Sequence, residues 1–232
     1  MKKKLISLLL SLIVILSFSI SSIYADTNNK GKVIYLSLNR TSLENLLEIP
    51  IIKEKTSNSG YVALMTTKGD GSNTDQKSFA SIGSGVRANV LDEDYVKFET
   101  LNENEKTQFE AATGVKSWAI GNIKINRNIN QNTDNGGYGA TLGMLGPTLN
   151  NNNLKVALLG NSDIKKNDDL KKIRDLALVC MDENGRVQSG NVDNINKKDD
   201  TMPFGISTDY DKLKSETKKY YENNDAIFVE LG

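Results

Sequence analysis

Val33-Ile34-Tyr35-Leu36-Ser37-Leu38 is β-branched, aromatic and almost uninterrupted by polar residues. Such a run predicts a strand buried on both faces rather than one that alternates between core and water. Two later runs read the same way, Val156 to Leu159 (VALL) and Ala226 to Leu231 (AIFVEL). Tyr61 to Thr66 (YVALMT) adds a fourth. Between them lie segments of helical spacing. Thr41 and Glu44 fit a capping box ahead of Leu43, Leu46 and Leu47. Pro50 marks a break or a new helix start. Thr74 to about Ala88 and Glu105 to Ala112 read as helices, the second stopped by Gly114. Asp209 to Glu222 is a charged amphipathic helix. Strand–helix alternation around near-continuous apolar strands argues for α/β architecture with a mostly parallel sheet.

The remaining segments are less regular. Tyr95 to Leu101 alternates like an exposed strand, and Ile120 to Ile129 alternates again. Asn130 to Gly139 reads as a turn-rich loop, Tyr138 to Leu149 as a helix, and Leu170 to Arg174 as a helical turn. Leu176 to Met181 suits either a strand or a buried helix. Asn184-Gly185 signals a type I′ turn with a hairpin return from Arg186 to Val192.

At the N-terminus, Lys2, Lys3 and Lys4 precede the apolar stretch Leu5 to Ile20, and Ala25 offers a small residue before Asp26. This is the layout of a secretory signal peptide over residues 1–25, with the domain following over 26–232. The stretch is short for a membrane anchor, which uses about 20 apolar residues. The expectation is a protein secreted or held in the cell envelope, with no membrane span after cleavage.

Composition excludes several chemistries. The 232 residues hold 29 basic and 29 acidic side chains, no histidine and one cysteine, Cys180. A chain without histidine builds no Ser-His-Asp or Cys-His machinery. A single cysteine forms no internal disulfide or CxxC pair, and in its apolar run Cys180 reads as a buried structural thiol. Charge balance gives no footprint for nucleic acid. Gly83-Ser84-Gly85-Val86-Arg87-Ala88 matches GxGxxA, but no helix pattern follows it, so dinucleotide binding is set aside. The plainer reading is a small-residue helix end packed closely on the sheet.

Thr74 follows a polar, glycine-containing loop and opens a helix. A hydroxyl there lies beside free backbone N–H groups and the positive helix end, which suit a phosphate or sulfate oxyanion. The simpler role is a helix cap.

The stretch Thr74-Asp75-Gln76-Lys77-Ser78-Phe79-Ala80-Ser81-Ile82-Gly83-Ser84-Gly85-Val86-Arg87-Ala88 resembles a segment of bacterial exported proteins with an alkaline-phosphatase-like fold. There a hydroxyl or thiol is followed by Leu/Ile-Gly-Ala/Ser-Gly-x-Arg-Ala. Val156 to Asp163 (VALLGNSD), the Met181-Asp182-x-x-Gly185-x-Val187 stretch and Pro203-Phe204-Gly205 fit the same series in order. The resemblance implies a three-layer α/β/α sandwich and a phosphate or sulfate ester hydrolase or transferase. It also implies one or two divalent metals (zinc, magnesium or manganese) at the carboxyl edge of the sheet. Carried over, Thr74 matches the catalytic nucleophile and a metal ligand, and Asn39 matches the usual metal-binding acid. Asn in place of Asp removes a charge and weakens that metal site. The family's later Asp and His ligands have no counterpart, because the chain lacks histidine and stops one residue after an apolar strand. The expectation is the N-terminal portion of such a domain, incomplete at its C-terminus. It would be active only if completed by a longer chain, and otherwise a non-catalytic envelope binding or structural protein.

Overall fold

The computed structural model describes residues 31–232, apart from 40, 64, 66, 67, 92–94, 136, 167 and 168. The expected signal peptide over 1–25 lies outside the described residues. In chain order the elements are β1 (Val33–Leu38), α1 (Leu43–Glu48), α2 (Pro50–Asn58), α3 (Asp75–Ser84), β2 (Glu99–Thr100) and α4 (Glu103–Thr113). Next come β3 (Ile120–Gly121), α5 (Asn126–Asn135), α6 (Leu145–Asn151), β4 (Val156–Asn161), β5 (Ile164–Lys166) and β6 (Asp169–Lys171). The last are α7 (Ala177–Cys180), β7 (Arg186–Val187), β8 (Ser189–Asn191), β9 (Asn196–Lys198), β10 (Ile206–Thr208), α8 (Tyr210–Asn223) and β11 (Ala226–Leu231).

A four-stranded parallel sheet of order β1-β11-β4-β8 forms the centre of this mixed α/β fold. Val33 pairs with Ala226 and Leu38 with Leu231, while Ala226 pairs with Val156 and Leu231 with Asn161. Both inner strands are buried on both faces, as their continuous apolar runs require. Ala157, Leu159, Ile227 and Val229 pack with Leu213 of α8. Val156, Leu158, Ala226 and Phe228 join Phe79, Leu178 and Val179 in a second core. Three further sheets are small and antiparallel: β2-β3-β7, β5-β6 and β9-β10.

β1 departs from its reading as a doubly buried strand. It is an outer strand of the described sheet, and Val33, Ile34 and Leu36 are exposed. Of Tyr61 to Thr66, the described residues 61–63 and 65 form no strand, and the rest of that reading lies outside the described residues. Tyr61 is 99% and Met65 72% exposed, so among the described residues no neighbouring surface covers them. An apolar run becomes a strand only where a sheet edge takes up its backbone.

Local hydrogen bonding decides the other departures. Ser42, not Thr41, caps α1 by accepting from Asn45 N at 3.2 Å. The capping box lies instead at Asn102 and Glu105, each accepting the other's backbone N–H. Only Glu99 and Thr100 of the Tyr95–Leu101 run form a strand, and Val96 and Phe98 are buried rather than exposed. After Ile120 and Gly121 the expected alternation gives way to α5, which runs through much of the expected loop. Buried Asn128 and Asn132 hold α5 in place, accepting from Leu91 N at 2.8 Å and Asn89 N at 2.7 Å. Positive φ at Gly139 (59°) and Gly143 (72°) keeps the helix expected from Tyr138 out until Leu145. Leu170 is in a strand, not a helical turn, because β6 pairs antiparallel with β5. Leu176 to Met181 resolves to the buried helix α7. The 182–186 turn has positive φ only at Gly185, so Asn184 does not adopt the type I′ geometry.

The glycine-rich stretch after Thr74 is a helix end. Gly85 closes α3 with φ 71°, and Gly83 packs on α7 rather than on the sheet. A Cβ at Gly83 would lie 2.4 Å from Leu178 O.

Candidate functional site

Parallel strands bring their carboxyl ends to one edge of the sheet. Asn39 follows β1 there, donating its N–H to Leu231 O at 3.0 Å. Beside it Glu230 of β11 is 1% exposed. Glu230 Oε1 accepts from Ser162 Oγ at 2.9 Å and Asn39 Nδ2 at 3.1 Å, and Oε2 accepts from Leu176 N at 3.3 Å. Asn39 Nδ2 also donates to Ser162 Oγ, and Asn39 Oδ1 accepts from Ser37 Oγ at 3.3 Å. Burial, with the nearby charge of Asp175 added, raises the Glu230 carboxyl to about 8. Glu230 is therefore largely protonated at neutral pH.

Above this edge lies a cavity of about 720 Å³. The first turn of α3 contributes Thr74, Asp75 and Gln76, and the β1 end contributes Asn39. The β5–β6 hairpin and the residues after it contribute Ile164, Leu170, Lys171, Lys172 and Ile173, joined by Lys97 and Asp175. Asn39 and Thr74, singled out on separate stretches of sequence, thus border one space. Thr74 is also the cap of α3, its Oγ1 accepting from Lys77 N at 3.3 Å. The Lys77 ammonium donates to Asp70 O at 3.0 Å and Ser72 Oγ at 3.3 Å, fixing the preceding loop. Losing the cap in Thr74→Ala should cost about 1 kcal/mol, read as a lower urea midpoint at unchanged m-value.

Behind the hairpin, Arg174 is 2% exposed and fully engaged. It donates to Asp163 Oδ2 at 3.0 Å, Asp193 Oδ1 at 2.7 Å and Phe98 O at 2.8 Å. Burial disfavours the guanidinium, but Asp163 and then Asp193 outweigh it and hold Arg174 firmly charged. Lys172 pairs with Glu99 and approaches Asp193 at 3.9 Å. Cys180 is buried and burial pushes its thiol far up, so it is no nucleophile.

Both ends of the Asn39 amide are engaged with protein neighbours and the Thr74 hydroxyl caps α3, so neither side chain is arranged as a ligand to a divalent metal. Among the described residues no group of three His, Cys, Asp or Glu is placed to hold a metal ion. No helix of the described residues is long and apolar enough to cross a membrane.

Glu230 and Arg174 are the residues that sequence reading passed over. Their signal was a charge set in or beside an apolar run, Glu230 within AIFVEL and Arg174 two residues before LALVCM. Such a charge is buried only with partners.

Comparison with protein-family models, curated proteins and solved structures finds no match to this chain.

Proposed function

We propose that this chain is an exported binding protein that takes a phosphate or sulfate ester in the cavity at the carboxyl edge of its parallel sheet. The observation that carries this reading is the meeting of Asn39 and Thr74 in one cavity with Lys97, Lys171 and Lys172. Lys97 and Lys171, with Lys172 in its pair with Glu99, line the cavity beside the opening turn of a ten-residue helix, which suits an oxyanion. The proposal includes a three-layer α/β/α arrangement of the alkaline-phosphatase-like kind. That finer architecture is supported by apolar cores on opposite faces of the parallel sheet. Export rests on the lysines and apolar run of residues 1–25.

The non-catalytic form is preferred over an ester hydrolase. Thr74 Oγ1 accepts a hydrogen bond from the Lys77 backbone N–H, and a hydroxyl needs a base or a metal to become a nucleophile. Hydrolysis or transfer through Thr74, with a divalent metal, is the alternative for a longer chain that supplies further ligands.

Calorimetric titration with inorganic phosphate, sulfate and methyl phosphate tests the reading. Saturable binding should weaken several-fold in Lys171→Glu, and p-nitrophenyl phosphate turnover should not exceed that of Thr74→Ala. Absence of binding to all three anions would overturn the ester reading. Turnover abolished by Thr74→Ala would replace it with the hydrolase.

A further inference from the structure

We propose that the ester taken by this cavity carries an apolar alkyl or aryl group, seated against Ile164, Leu170 and Ile173; this rests on the oxyanion reading above. The cavity is far larger than a bare oxyanion needs, and its roughly 720 Å³ falls among pockets that enclose an organic ligand. The β1 end and the start of α3 line it with polar groups, Asn39, Thr74, Asp75 and Gln76. The hairpin side supplies its aliphatic side chains, together with the ammonium groups of Lys171 and Lys172. Ile164 and Ile173 are half-buried, and Leu170 is 51% exposed while bordering the cavity.

The hairpin explains why an apolar residue stands there. Its register sets Ile164 against Lys171 and Lys165 against Leu170. Two of its three cross-strand pairs therefore join one aliphatic and one ammonium residue. Ile164 and Lys171 share one face of the hairpin, so an ester with its oxyanion near Lys171 rests its hydrocarbon on Ile164, with Leu170 and Ile173 bordering the same cavity. A hydrocarbon placed there removes apolar surface from water on both partners.

The test is a chain-length series on the wild-type protein, titrating methyl, butyl and hexyl phosphate by calorimetry. Hexyl phosphate should bind at least about ten-fold tighter than methyl phosphate, with butyl between them, because each buried methylene contributes favourably. Leu170→Asn should remove most of the advantage of hexyl over methyl phosphate. Equal affinities across the series, with methyl phosphate still binding, would overturn the apolar-group inference and leave the oxyanion reading intact. No binding of methyl or inorganic phosphate, and none of hexyl phosphate, would overturn both. Because the series needs no variant, a Leu170→Asn protein that fails to fold does not protect the inference.

Discussion

Arg174→Met is expected to destabilise the protein by about 3–5 kcal/mol, the usual penalty for stripping one partner from a buried ion pair. The Asp163 side chain is 3% exposed, and Asp193 is directed at the same guanidinium. Without Arg174 the two carboxylates would face each other with no cation between them, and Phe98 O would lose its donor. For a chain of this length the melting temperature should fall by roughly 10 °C. Burial already pushes the Asp163 carboxyl upward, so the variant should recover part of its loss on acidification as Asp163 takes a proton. Adding Asp163→Asn should give a similar recovery at neutral pH. Thermal melts at pH 5 and pH 7.5 check this. A variant that melts with the wild type at both would show that the triad contributes nothing to stability.

The second large effect is a pH dependence centred on Glu230. Its folded carboxyl is pushed up to about 8 from the 4.5 of an ordinary glutamate, so between those limits the folded state holds a proton that the unfolded state has lost. The stabilisation is fully present below the unfolded value and is lost as pH rises through the folded one. The slope approaches at most about 1.4 kcal/mol per pH unit, giving on the order of a few kcal/mol across the window. Wild-type protein should therefore melt progressively lower as pH rises from 5 to 9. Glu230→Gln, neutral throughout, should flatten that decline and melt higher than wild type at pH 9. Parallel curves for the two proteins would assign the dependence to another group.

The elements legible in the sequence were those whose apolar pattern and surroundings agree. Val156 to Leu159 and Ala226 to Leu231 are inner strands because every side chain in them meets a core face. Asp209 caps α8 as its position predicts, and Leu213 sits on the helix's buried side. Thr74 was singled out as a helix start and Asn39 through the resemblance, and the two border one cavity because the end of β1 and the first turn of α3 meet there. The misread stretches depend on partners far along the chain. Nothing near Asn128 or Asn132 in sequence announces the loop backbone at 89–91 that they hold. Leu170 looks helical until Lys165 is set beside it. Tyr61, Val62, Ala63 and Met65 are strand-forming by pattern but pair with no strand among the described residues, which no local pattern can reveal. Glu230 is hidden for the opposite reason, since its apolar context argued for burial while its partners Asn39, Ser162 and Leu176 come from three distant segments.

The place of β11 within the sheet sets an order of events for folding. β1 and β4 do not touch as strands; each pairs with β11, which lies between them. A chain emerging from its N-terminus can therefore form α3, α4 and the small antiparallel sheets while its principal sheet has no middle. Only when residues 226–231 arrive can Val33 and Val156 be joined through Ala226. Contacts so distant in sequence carry a large loop-closure cost, and they place folding toward the slow, millisecond-to-second end of the range for single domains. During that interval the apolar runs VIYLSL and VALL are open to pairing with strands of other molecules. Synthesis or refolding at high concentration should consequently lose more protein to aggregation than the stability of the finished fold would suggest.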